Sequence, residues 1–175
     1  MDLIRRSQRG DTSAFDQLVT KYRGRIFRLI YGIVKNEDDA WDIAQEAFLI
    51  SRLRIQRFEH RASFYTWLYS VTIKITRNSL RWQMRRKDVD LNDSIRDPGL
   101  EPEKNCQHGE IRQWVTWALA ELSPEQRAVV MLKELEGLQY REIALVLNLS
   151  IGTVMSRLFY ARRRRLQSLL RPIYH

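Results

Sequence analysis

The sequence predicts an all-α protein of two small helical domains joined by a flexible acidic linker, the second domain carrying a helix-turn-helix. Three observations predict this. Apolar residues recur at three- and four-residue steps along both halves of the chain, and no alternation of period two replaces them. Charge divides the 175 residues into three parts: residues 1–87 hold 18 basic and 9 acidic side chains, 88–110 hold 2 and 7, and 111–175 hold 10 and 5. The apolar spacing of Ile143, Ala144, Leu147, Leu149, Val154 and Leu158 is that of two short helices packed across a tight turn.

In chain order, Asp11, Thr12 and Ser13 offer N-caps to a first helix whose core stripe is Phe15, Leu18, Val19, Tyr22, Ile26, Leu29, Ile30 and Ile33. A second helix buries Ala40, Ile43, Ala44, Ala47 and Phe48 and turns Asp38, Asp39, Asp42, Gln45 and Glu46 outward. A third runs from about Ser63 to Arg86 with Phe64, Leu68, Val71 and Ile75 as its core edge, although the β-branched residues between Val71 and Ile75 weaken it locally. Residues 88–110 contain Pro98-Gly99, Pro102 and several Asn and Asp residues without apolar periodicity, so they read as the linker between domains 1–87 and 111–175. In the second domain Ser123-Pro124-Glu125-Gln126 starts a helix with a capping box and a proline at its first position. That helix ends near Glu136-Gly137. The helix-turn-helix turns at Asn148, which tolerates a left-handed backbone, and Ser150 caps its second helix.

The composition restricts what such a fold does. A 44% hydrophobic share fills modest cores, and a formal charge of +9 points to a polyanionic partner, nucleic acid before membrane. Cys106 is the sole cysteine and the three histidines lack ligand spacing, so no disulfide, metal or other cofactor is expected, and the reducing cytoplasm is the expected compartment. The start lacks a signal-peptide apolar run, and the uncharged stretch Phe64–Ile73 falls far short of the roughly 20 residues that span a bilayer. No G-x-S-x-G, P-loop, H-E-x-x-H or paired-cysteine motif is present, so no enzyme activity is expected.

Three surfaces are candidates for binding. At about 100° per residue, Val154, Leu158 and Ala161 point inward on the last helix, while Gly152, Thr153, Ser156, Phe159, Tyr160 and Arg163 point out, where DNA bases and sugars lie; Arg162 to Arg165 add phosphate contacts. The alternative is a helical hairpin with a solvated basic tail. On the third helix Lys74, Arg77, Arg81 and Arg85 line one face, with Trp67 upstream, amid Phe58, Phe64, Tyr65, Tyr69 and Trp82; cations beside rings suit single-stranded DNA, although each ring singly also suits the core. The acidic face of the second helix is either solvated or a dock for a basic protein. A helix-turn-helix regulator acting alone accounts for residues 139–165 but leaves the first domain without a role, and an RNA-binding protein would use the same basic surfaces.

Gly10-Asp11, Ala14-Phe15, Leu18-Val19 and Tyr22, then Asp39 to Phe48 and Ser63 to Tyr69, resemble the first domain of the extracytoplasmic-function sigma factors. Leu122 to Arg127, Glu136 to Ala144 and Ser150 to Leu158 resemble the second. The resemblance implies a promoter-specificity subunit that is monomeric when free, binds core RNA polymerase at the β′ coiled coil and β flap, and answers to an anti-sigma factor. It implies that Asp39, Asp42, Gln45 and Glu46 bind the polymerase. Phe58, Phe64, Trp67, Lys74, Arg77, Asn78, Arg81 and Arg85 would meet the minus-ten element, with one base flipped out. Arg141, Ser150, Thr153, Met155, Ser156, Arg157, Phe159, Tyr160, Arg162 and Arg163 would meet the minus-thirty-five duplex. The linker would thread toward the active-centre cleft. Relatives usually carry Lys or Arg at the position of Met155, and often Asn at that of Lys74, so promoter preference does not transfer.

Overall fold

A computed structural model describes residues 2–90 and 122–170, with side chains described for 2–85 and 122–163. Helix α1, Asp2–Gln8, precedes the first helix that the periodicity predicts. Asp11 caps α2, Thr12–Val34, accepting from the Ala14 amide at 3.0 Å while Arg6 pairs with its carboxylate at 2.8 Å. The amide bond and then Arg6 hold the Asp11 pKa below its usual value. Helix α3, Glu37–Arg54, starts at Asn36, whose side chain accepts from the Asp39 amide. A short 3₁₀ turn, Ile55–Arg57, follows, and then α4, Phe64–Asp90, which continues past the expected boundary at residue 87. The rest of the expected linker lies outside the described residues, apart from the helical 88–90.

The β-branched stretch of α4 stays helical because its threonines turn inward and back-bond. Thr72 donates to the Leu68 carbonyl and Thr76 to that of Thr72, each at 2.9 Å, so their buried hydroxyls are satisfied within the helix. In the second block α5, Pro124–Val130, carries the expected capping box at Ser123 and Gln126. It runs on through a π turn, Met131–Leu135, and stops at Gly137, whose φ of 69° allows the Leu138 amide to reach the Leu132 carbonyl. Helix α6, Tyr140–Leu147, and α7, Ile151–Leu170, then form the helix-turn-helix around Asn148 at φ 52°. Residues 143–156 form a longer uncharged run than Phe64–Ile73, but the chain bends by 102° between the two helices; no single described helix is long and apolar enough to cross a membrane.

The two blocks share one apolar core. Helix α4 lies against α2 and α3 on one side and α6 on the other, and α5 packs on α2. Met131 sits where a side chain on Gly32 of α2 would be: a Cβ there would lie 2.3 Å from the Met131 methyl. Arg127 donates to the Ile33 carbonyl at 2.6 Å, and Arg77 donates to the Leu147 carbonyl at 2.9 Å. Thr66 and Tyr65 hydrogen-bond the Glu142 carboxylate, and the buried Tyr69 donates its hydroxyl to Glu136.

Candidate nucleic-acid and polymerase interfaces

The acidic face of α3 is exposed at Asp42, Gln45 and Glu46. Asp39 stands apart: it is half-buried and accepts from Gln83 Nε2 of α4 at 2.9 Å, so it fastens α3 to α4 rather than standing open to a partner. Trp41 and Phe27 stack beside this face with ring centroids 4.2 Å apart. The helix start concentrates Glu37, Asp38 and Asp39 where the macrodipole is positive, leaving the next turn's acids free for an external cation.

The rings expected at the minus-ten element are divided by burial. Phe58 and Phe64 are core residues, 5% and 6% exposed, packed on one another and on Trp67 with centroids 5.3 to 5.9 Å apart. Their burial means that the 58–64 loop presents backbone and polar groups outward, with only the half-buried Trp67 near the surface. That loop is tied down by a residue the sequence does not advertise. Gln8 of α1 donates to the Ile55 and Phe58 carbonyls at 3.1 and 2.8 Å, and its carboxamide oxygen lies 3.0 Å from His60 Nε2. A seven-residue helix preceding the first cap signal is too short to show a period, so Gln8 is invisible until the fold is known.

Further along α4, Lys74, Asn78, Arg81 and Arg85 are exposed. Arg77 is half-buried and spent on the end of α6, with its pKa lowered first by burial and then by the nearby Arg157. The expected cationic row is therefore interrupted at its second member.

In the helix-turn-helix, Val154, Leu158 and Ala161 are buried and Met155, Ser156, Phe159, Tyr160 and Arg163 are exposed, as the 100° step requires. Ser150 caps α7 by accepting from the Thr153 amide at 3.1 Å, and its hydroxyl also meets that of Thr153 at 2.8 Å, so both are occupied at the helix start. A shallow groove lined by Tyr140, Met155, Leu158, Phe159, Arg162 and Arg163 runs along the exposed face. Arg141 is exposed on α6. Arg162 donates to Glu134 at 2.7 Å, a partly exposed pair that a phosphate can displace at small cost. Arg157 faces the first block instead: one of its guanidinium nitrogens is buried with no hydrogen-bond partner among the described residues, and its charge acts on Arg77 and Glu125. Arg164 and Arg165 lie outside the described side chains.

Comparison with known proteins gives one consistent result. Residues 18–86 match the family model of sigma-70 region 2, and residues 112–164 match that of sigma-70 region 4. The chain is similar to the RNA polymerase sigma-H factor of Pseudomonas aeruginosa, 38% identical with 97% of this chain and 94% of that one covered. It is 34% identical to the ECF RNA polymerase sigma-E factor of Escherichia coli, covering 91% and 88%. Its fold is like that of the sigma factor RpoE solved with the anti-sigma factor NepR from Bartonella quintana, with TM-score 0.75, 22% identity and 89% and 96% covered. It is also like CnrH in complex with the cytosolic domain of CnrY, with TM-score 0.68, 21% identity and 95% and 94% covered.

Proposed function

Because this chain belongs to the sigma-70 family, in its extracytoplasmic-function branch, we propose that it docks on core RNA polymerase through α3 and brings the enzyme to promoters by reading two DNA elements with its two blocks. Asp42, Gln45 and Glu46 face the basic groups of the β′ coiled coil, with Asp39 bracing α3 against α4 from behind. Residues 1–87 form the polymerase-binding and minus-ten domain. Lys74, Asn78, Arg81 and Arg85 track the minus-ten strand there. Residues 111–175 form the minus-thirty-five domain and touch the β flap, and the acidic stretch between the domains threads toward the active-centre cleft. The protein works in the cytoplasm, where its DNA is. The structures of RpoE and CnrH were both solved with a bound partner, NepR described as an anti-sigma factor and CnrY as a cytosolic domain, and an anti-sigma factor is the expected control here.

The observation that carries this reading is the exposed face of α7. A capped helix start, a 102° bend from α6, and Met155, Ser156, Phe159, Tyr160 and Arg163 all turned to solvent are what a major-groove helix requires. The two large rings cost free energy in water and recover it against thymine methyls and sugars.

Core polymerase plus this chain, supplied with genomic DNA, should yield transcripts whose start sites share two upstream elements; starts indistinguishable from those of core alone would refute the reading. Asp42→Lys with Glu46→Lys should weaken core binding at least tenfold in a titration with labelled protein while leaving helicity intact. Unchanged affinity at physiological salt would remove α3 from the polymerase interface.

A further inference from the structure

We propose that His60 is a DNA-contacting residue: its ring, held out on the 58–64 loop by Gln8 of α1, stacks on an unpaired base of the minus-ten strand. The inference rests on the sigma-factor reading above for the strand it meets, and adds to that reading a contact residue and the residue that positions it.

Gln8 decides how the ring is held. Its amide nitrogen donates to the Ile55 and Phe58 carbonyls at 3.1 and 2.8 Å, and a carbonyl only accepts, so both hydrogens of that nitrogen are committed to the loop backbone. The amide oxygen, 3.0 Å from His60 Nε2, can then only accept, and His60 carries its proton on Nε2. Two bonds already fasten the loop; the third orients an imidazole. His60 also has a φ of 58°, a left-handed backbone uncommon outside glycine, although histidine is among the types that adopt it more often. A turn at that φ needs no ring, and glycine would make it without strain.

The surroundings of the ring are those of a stacking platform. Phe58 and Phe64, the rings of this loop that the sequence pattern offers to DNA, are buried, and Trp67 is half-buried. His60 is exposed. Its centroid lies 4.6 Å from that of Phe58, and Trp67 lies against the same buried ring at 5.3 Å, so His60 and Trp67 form one aromatic shelf backed by the core. A ring supported from behind and bonded at its edge has little freedom left to lose when a base arrives, which favours stacking. Cations flank these residues along the chain: Arg57 and Arg61 on the loop, and Arg5 and Arg9 on α1, are exposed. The Arg61–Glu59 pair, at 2.7 Å, is open enough to solvent for a phosphate to replace the carboxylate at small cost. Trp67 in turn begins the helix whose later turns expose Lys74 and Asn78. Base–aromatic stacking tolerates any base, so His60 adds affinity at its position without choosing the sequence there.

Holoenzyme assembled from core polymerase and the full chain tests this with a single-stranded oligonucleotide carrying the minus-ten strand of a mapped promoter, and with a set in which one base at a time is replaced by an abasic site. His60→Asn keeps a residue type that tolerates positive φ and removes the ring. It should weaken binding of the intact strand by about fivefold or more, with helicity and core affinity unchanged. On the strand that is abasic where His60 stacks, wild type and His60→Asn should bind equally, because the partner of the ring is already gone. His60→Gly, which relaxes the backbone altogether, should give the same pattern. Gln8→Ala should also weaken binding, and the Gln8→Ala/His60→Asn double variant should lose no more than His60→Asn alone, since Gln8 acts through the ring. Losses that add would overturn that positioning role. Equal binding of the intact strand by wild type and both His60 variants, or a loss that persists at every abasic position, would overturn the contact. Failure of the wild-type holoenzyme to prefer the promoter strand over a scrambled one would overturn the functional reading, and the contact with it.

Discussion

Lys74 and Arg77 sit three residues apart on α4 and meet different surroundings: the lysine is exposed, while the arginine is half-buried against the end of α6. A lysine ammonium offers donors only and adds a charge that phosphate attracts, whereas the carboxamide common in relatives offers a donor and an acceptor to a base edge. An exposed, four-carbon arm in line with Arg81 and Arg85 has the reach for phosphate and lacks the held geometry of base reading. Lys74→Asn should therefore reduce open-complex formation by a similar factor on four templates that differ only at the flipped minus-ten base, and should flatten the salt dependence by about one phosphate contact. A changed rank order among the templates would make Lys74 a base reader. Met155, 53% exposed in the groove beside Phe159, presents an apolar surface on the exposed face of α7.

At the scale of elements, the helix ends are where sequence and structure agree most closely, because a cap is a local event. Ser123, Asn148 and Ser150 are readable from residue type alone: each acts on amides or backbone angles within three residues of itself. Asn148→Val should destabilise the second block by about 1–2 kcal/mol, because a β-branched side chain is strained at positive φ, whereas Asn148→Gly should be nearly neutral. Thermal melts of the two variants check this, and equal melting temperatures would mean that the turn relaxes to another conformation. What is illegible is α1, too short for a period, and the second buried side of α4. The stripe Phe64, Leu68, Val71 and Ile75 announces itself, but at 100° per residue Thr66, Tyr69 and Arg77 lie roughly 130° or more from its centre and Tyr65 about 90°, so their contacts with the second block are not legible from that stripe. Their partners, Glu136, Glu142 and Leu147, are some 70 residues downstream, and no local pattern encodes that pairing. For the same reason Phe58 and Phe64 look like base-stacking rings in sequence and prove to be core.

At the scale of the whole molecule, two described groups where the blocks meet make stability depend on pH in the alkaline range, with opposite effects. Lys35, in a left-handed cap at the end of α2, has its pKa lowered to about 8 by burial and then by the nearby charge of Arg127. A lysine depressed from its usual 10.5 binds fewer protons folded than unfolded between those values, so stability rises with pH from about 8 upward. Tyr69 behaves in reverse. Burial, then its hydrogen bond to Glu136 and that carboxylate's charge, raise its pKa well above the usual 10, so its contribution is complete below pH 10 and is lost as pH rises further. The two together predict a maximum in stability near pH 10, where the rising limb of Lys35 meets the falling limb of Tyr69, displaced from the range of about pH 5 to 8 usual for proteins. Lys35→Met should remove the rising limb, and Tyr69→Phe should soften the falling one at some cost from the lost bond to Glu136. Urea melts from pH 7 to 11 measure both. Contact between the blocks adds a sharper condition, because Arg127 and Glu136 belong to the second block while Lys35 and Tyr69 belong to the first. If contact between the blocks is the source of these shifts, Glu136→Lys with Glu142→Lys should flatten the pH maximum. A maximum unmoved by those two substitutions would place the titrating environment within the first block alone.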